Sequence, residues 1–290
     1  MASDKLYSIM LPIRGDGKGD NVLTHAAIMA RRFKARVRVV HCHPRPDDLM
    51  PYGVVIPAVV RRQIEDAAAK NVDVTRDQLL EEFHNMATKL GLAMQDPTPG
   101  TATARFIEYE GKQVDAVQRY GRLSDLICVA KPDAETNLGT NTLKTALYSS
   151  GRPVMMCPPQ EKVDENFADN VAIGWNGSLQ ATRAITAASP LISNAKSVTI
   201  LSTGPTENDQ QPGAEHLQRY LQIRGVNAEI RVFEASGKNV GRQLLSETRD
   251  AGAGLLIIGA YHDSFERESL FGGNSQSVVA EAEFPVVMSH

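Results

Sequence analysis

Apolar positions along this chain gather into short continuous runs, separated by longer stretches in which they recur at helical spacing. The run Ser8-Ile9-Met10-Leu11-Pro12-Ile13-Arg14-Gly15-Asp16 can be laid over Asn170-Val171-Ala172-Ile173-Gly174-Trp175-Asn176-Gly177-Ser178, with Gly15 falling on Gly177. A helical pattern follows each, Asn21 to Phe33 and Leu179 to Leu191. Next come β-branched runs, Val37 to His41 and Ser197 to Leu201, bounded by polar residues and read as second strands. Ala104 to Tyr109 and Ala228 to Phe233 supply third strands, followed by helices over Gln113 to Tyr120 and Val240 to Ala251. The strongest match sets Asp125 to Ala130 over Gly254 to Gly259. Each leads through a loop and a helix to a proline-started strand, Pro153 to Met156 or Pro285 to Met288.

The chain is therefore a tandem repeat, each half reading β-α-β-α-β-α-β-α-β. Continuous apolar strands alternating with amphipathic helices predict two α/β/α sandwiches of the flavodoxin-like or Rossmann-like kind, each built on a five-stranded parallel sheet. Right-handed crossovers leave the strand orders 2-1-3-4-5 and 3-2-1-4-5 open. The join is expected in Pro158 to Ala168, which holds two prolines, mixed charge and little apolar content, so the units are 1–160 and 161–290. Only the first half carries an extended segment, Pro44 to Pro57, and then a long helical pattern, Ala58 to Leu90. Its apolar positions Ile64, Ala68, Val72, Leu79, Phe83, Met86 and Leu90 predict a helix lying on the sheet, with a lid or partner-binding helix as the alternative.

With 290 residues there is room for two ordinary domains. A net charge of −3 without blocks of one sign advertises neither nucleic acid nor an anionic membrane as partner. The short apolar run Ile9 to Ile13 does not reach the length of a signal peptide or a spanning helix, which gives the expectation of a cytoplasmic protein. Cys42, Cys128 and Cys157 lie far apart, in or beside strand-like runs, and read as reduced core residues.

In an open parallel sheet a ligand gathers beyond the carboxyl ends of the strands, where the strand order reverses. In the second half that places Asn176, Gly177 and Ser178 after the first strand and Gly259 after the fourth. The loop from Gly259 runs through His262 to Gly272-Gly273-Asn274-Ser275 at the start of the last helix. A glycine pair lets backbone amides approach an anion, and a helix start adds unpaired N–H groups, so phosphate is the natural ligand. The same residues serve equally well as a turn, Gly272 and Gly273, with Asn274 or Ser275 capping the helix.

At these residues the chain resembles the universal stress protein family. Its nucleotide-binding members carry, after the fourth strand, a glycine, two residues, a second glycine, nine residues, then glycine followed by serine or threonine. Gly259, His262, Gly272 and Gly273 keep that spacing with two of the four positions changed. The resemblance covers both halves. It implies the order 3-2-1-4-5 in each, a pseudo-dimer packed through the last strands, and room for further pairing of whole chains into a homodimer. It also implies a stress-response regulatory protein that binds ATP, ADP or AMP, with Mg²⁺ for the triphosphate.

The family's aspartate at the end of strand one is matched here by Arg14 and Asn176. Asn176 still donates and accepts hydrogen bonds. Gly273 loses the family's hydroxyl, which Ser275 can supply from a shifted position, and a protonated His262 can pair with phosphate. In the first half Lys131-Pro132-Asp133 follows the fourth strand, and the stretch to Gly139-Thr140 is about four residues shorter than its counterpart on the repeat alignment. Asp133 would also repel phosphate. Nucleotide is therefore expected in the second half, and the alternative is an interaction module acting through the first-half insertion.

His41 and His43 share one strand face and could begin a metal site, but no third ligand is evident, so no metal is expected. His25, His84, His216 and His290 have no evident partner. No Gly-x-Ser-x-Gly elbow and no paired acids at strand ends mark a hydrolase, leaving slow ATP hydrolysis as the most an enzyme reading allows.

Overall fold

The computed structural model describes residues 5–13, 19–43, 45, 57–96, 98–133, 135, 138–204, 211–235, 240–260 and 274–290; the side chains of residues 61, 63–75 and 274 lie outside this set. In the first half β1 (Ser8–Ile13), β2 (Arg36–His43), β3 (Thr103–Glu110), β4 (Leu126–Ala130) and β5 (Val154–Cys157) alternate with α1 (Gly19–Phe33), α2 (Ala58–Lys89), α3 (Gln113–Gly121) and α4 (Thr140–Ser149). The second half repeats the strands as β6 (Asn170–Gly174), β7 (Ser197–Ser202), β8 (Ala228–Val232), β9 (Leu255–Gly259) and β10 (Val286–Ser289). Its helices are α5 (Leu179–Ala187), α6 (Ser189–Ser193), α7 (Ala214–Gln222), α8 (Val240–Asp250) and α9 (Asn274–Glu281). The pattern from Leu179 to Leu191 predicts one helix, but Pro190 enters the first turn of α6 and splits it, because proline has no N–H to continue the ladder.

All ten strands form one sheet in the order β3-β2-β1-β4-β5-β10-β9-β6-β7-β8. Each half thus shows 3-2-1-4-5, and of the two orders open to the sequence this is the one observed. The halves meet where β5 and β10 run antiparallel, with Val286 opposite Met156, Val287 opposite Met155 and Met288 opposite Val154. Every one of these side chains is fully buried. Burial of each is worth roughly 1.5–3 kcal/mol relative to exposure, so the seam is core rather than contact surface. Because the join is antiparallel, the carboxyl ends of the parallel strands in the two halves point to opposite edges of the sheet.

The helices form the outer two layers. Side chains from α1, α2, α5, α6 and α7 pack on one face, around Leu11, Val39, Ile173 and Val287. Those from α3, α4, α8 and α9 pack on the other, around Met10, Ile127, Ala172 and Met288. In α2 the described side chains that pack on the core are near its C-terminal end, among them Leu80, Phe83, Met86 and Ala87. Val59 and Val60 at its start are 69% and 42% exposed. The helix of 32 residues is about 48 Å long, so one end lies on the sheet and the other reaches past those contacts.

The segment between β5 and β6 is tied to α1. Arg32 pairs with Asp169 at 2.8 Å and Arg31 with Glu165 at 2.5 Å. Arg32 also donates to the Asn194 carbonyl, and Asn21 Nδ2 donates to the Gln160 carbonyl at 2.9 Å. Asp169 holds Lys196 as well, at 2.7 Å, and these two cations keep its carboxyl below the usual range, Lys196 contributing most. No helix among the described residues is long and apolar enough to cross a membrane.

Candidate functional site

In the second half the strand order turns at β6: β7 lies on one side of it and β9 on the other. The crevice beyond the carboxyl ends of β6 and β9 is where such sheets receive ligands. Trp175-Asn176-Gly177-Ser178 turns there from β6 into α5. Asn176 Oδ1 accepts the Ser178 N–H at 3.2 Å, and Ser178 Oγ accepts the Ala181 N–H at 3.2 Å, which caps α5. Gly177 has φ of 70°, and a Cβ on it would lie 2.9 Å from the Pro212 carbonyl oxygen, so both backbone and space demand glycine.

Gly259 is fixed by packing. A Cβ there would stand 2.4 Å from the Ala181 nitrogen and 2.5 Å from the Gln180 carbonyl carbon, so the end of β9 lies directly against the first turn of α5. Gln180, on that first turn, has a buried Oε1 with no hydrogen-bond partner among the described residues. Asn176 is exposed, and its amide nitrogen makes no hydrogen bond among the described residues. Neither α5 nor α9 has an acid in its first turn to offset the positive end of the helix. Ser275 is half-buried in the first turn of α9, which Asn274 begins. His262, Gly272 and Gly273 lie outside the described residues.

The structure thus brings Asn176, Gly177, Ser178 and Gly259 to the carboxyl ends of β6 and β9 and gives three of them structural duties, Gly177 in the turn, Ser178 as cap and Gly259 as contact point. It adds Gln180, which the sequence reading passed over. No local signal marked it, because its contact with Gly259 depends on how α5 is set against β9.

The corresponding place in the first half is built differently. β1 pairs with β4 only at Ile9 and Met10, because Pro12 has no N–H to extend that ladder, and the strands part beyond it. The cavity between them, lined by Pro12, Ile13, Ala130, Gly139 and Thr142 among others, is only about 40 Å³. The Asp133 N–H donates to the Leu138 carbonyl at 2.9 Å, folding the short loop on itself. Gly139, at φ of 90°, would put a Cβ 3.2 Å from Pro132 Cα. Lys131 Nζ donates to the Ala282 carbonyl at 3.0 Å and so serves the seam.

His41 and His43 do share a face, with ring centroids 6.2 Å apart. His41 is buried, 4% exposed, and so is not at a solvent-facing strand end. Burial first, and His43 second, hold its pKa below the usual histidine value. Among the described residues no group of three or more histidine, cysteine or acidic side chains could hold a metal ion. His25 is wholly buried against Phe167, its Nδ1 2.8 Å from the Asn21 carbonyl, and burial lowers its pKa too. His290 meets the Tyr148 ring edge-on at 4.7 Å. None of the three cysteines forms a disulfide; burial pushes the Cys157 thiol well up, as expected of an inert core residue.

No protein-family model matches the sequence. No curated protein matches it significantly. Solved structures do match. A universal stress protein from Archaeoglobus fulgidus DSM 4304 aligns with a TM-score of 0.73 over 100% of this chain and 98% of its own, at 15% identity. A putative universal stress protein from Pseudomonas aeruginosa UCBPP-PA14 gives 0.55 over 99% and 94%, at 14% identity. A protein of unknown function from Pseudomonas aeruginosa PAO1 gives 0.56 over 99% and 93%, at 13% identity. At such identities the likeness is one of architecture, and the architecture this chain shares from end to end is that of the universal stress proteins.

Proposed function

We propose that the second half binds an adenine nucleotide in the crevice at the carboxyl ends of β6 and β9, and that the protein is a stress-response regulator rather than an enzyme. The observation that carries the reading is the unpartnered, buried Oε1 of Gln180, on the residue packed against Gly259. A buried acceptor without a donor is costly, and a ribose hydroxyl or an exocyclic amine would satisfy it. Asn176 adds an amide with a free donor for base or ribose. Gly272, Gly273, Asn274 and Ser275, with His262, would receive the phosphates through backbone amides and the start of α9, with Mg²⁺ accompanying a triphosphate. The regulatory role follows the shared universal stress protein fold and the lack of a catalytic set in the sequence. The chain would act as two fused units, 1–160 and 161–290, of which only the second binds.

Titration of the purified chain with ATP, ADP and AMP, with and without Mg²⁺, followed by calorimetry, tests this. One site per chain is expected, and Asn176→Ala should weaken it roughly 2- to 12-fold, the worth of one hydrogen bond. Absence of both heat and thermal shift at millimolar nucleotide would overturn the reading. A second reading, capture of a protein partner by the first half, has one observation in its favour, the exposure of Val59 and Val60 at the far end of α2. It gains only if the titrations are silent.

A further inference from the structure

A groove between α5 and α7 holds a cavity of about 260 Å³, against about 40 or 60 Å³ for three others. Thr182, Thr186 and Tyr220 on its walls are exposed, so the groove is open to solvent and to a ligand. It shares Trp175 with the strand-end loop but faces the flank of the second half, between the two helices, and does not depend on nucleotide binding there.

Its walls are mostly apolar, with His216 the one ionisable imidazole among them. Trp175, 6% exposed, forms part of the lining, and its Nε1–H donates to the Pro212 carbonyl at 3.0 Å. Thr182 Oγ1 donates to the Ser178 carbonyl and Thr186 Oγ1 to the Thr182 carbonyl, both at 3.1 Å. The donors of these three side chains are thus engaged with carbonyls of the protein, which leaves methyl groups and ring surface for the groove. Ile185 and Leu217 add buried aliphatic surface. Tyr220 closes one side, its ring stacked by the Arg224 guanidinium at 3.5 Å from the centroid.

We infer that this groove binds a small, flat, apolar ring compound of about two fused rings. The size follows from volume: an apolar protein cavity of about 150 Å³ accommodates benzene, and this one is larger by roughly a second ring. The preference for a ring over an alkyl chain follows from Trp175 and Tyr220, since aromatic pairs gain about 0.5–1.5 kcal/mol beyond the area they bury.

Trp175 is the one tryptophan of the chain, so replacing it with 5-fluorotryptophan gives a single ¹⁹F resonance inside the groove. Titrating the full chain with indole should shift that resonance saturably, with half-saturation below about 1 mM, whereas decanoate should not. Thr186→Phe, which fills the groove, should abolish the shift without lowering the melting temperature. Thr186→Leu, a smaller filling, should weaken binding about fivefold and serves if the larger variant does not fold. Any of three results would overturn the inference: no saturable shift with indole, the wild-type shift retained in the filled variants, or tighter binding of decanoate than of indole.

Discussion

Gly259→Ala is expected to cost about 3 kcal/mol or more of folding stability, among the largest effects any single methyl can have in this chain. The added Cβ would lie 2.4 Å from the Ala181 nitrogen and 2.5 Å from the Gln180 carbonyl carbon, and neither is the end of a flexible side chain that can swing away. Either β9 must withdraw from β6 or α5 must lift from the sheet. Gly19→Ala is the control, because its nearest neighbour is Ile13 Cγ2 at 3.3 Å, a side-chain methyl that can move. That change should stay within about 1 kcal/mol of wild type. Urea unfolding of the two variants beside the parent measures both, and equal midpoints for the two would refute the packing argument.

Val287→Asp should destabilise by about 3–5 kcal/mol, the cost of a buried charge without a partner. Val287 sits opposite Met155 in the antiparallel pair that joins the halves, and both are fully buried. A carboxylate placed there would face Met155, Leu255 and Ile257, with no cation among these neighbours to pair with it. Because the sheet is continuous through this seam, the damage should reach both halves and lower a shared unfolding transition. Ile223→Asp, at a position 84% exposed, should move the midpoint by less than about 0.5 kcal/mol. If the seam variant left the first half melting as in the parent, the halves would be independent rather than one core.

Most of this architecture was legible in the sequence because apolar strand runs repeat, and a repeat fixes element order twice over. The matched ends Pro153 to Met156 and Pro285 to Met288 became β5 and β10, the two strands that join the halves. What escaped depends on where distant segments cross. Nothing in the local pattern announces that Arg31 and Arg32 reach Glu165 and Asp169, since surface arginines at a helix end are ordinary. His41 is buried beside Phe106 of β3, which packs in turn against Phe83 of the inserted helix α2. The groove at Trp175 arises from the spacing of α5 and α7, which the sequence sets only through side-chain volumes. At the candidate site, Gly177 and Gly259 were legible as glycines with a purpose, but that purpose is close backbone packing at least as much as room for phosphate.

We propose a division of labour between two copies of one unit, with ligand bound in the second. Amide hydrogen exchange of the full chain, with and without saturating ATP and Mg²⁺, tests it most directly. The account predicts slower exchange in peptides covering residues 174–182 and 255–275, and unchanged exchange in those covering 9–20 and 126–142. Equal protection in both halves, or protection of the first half alone, would contradict it.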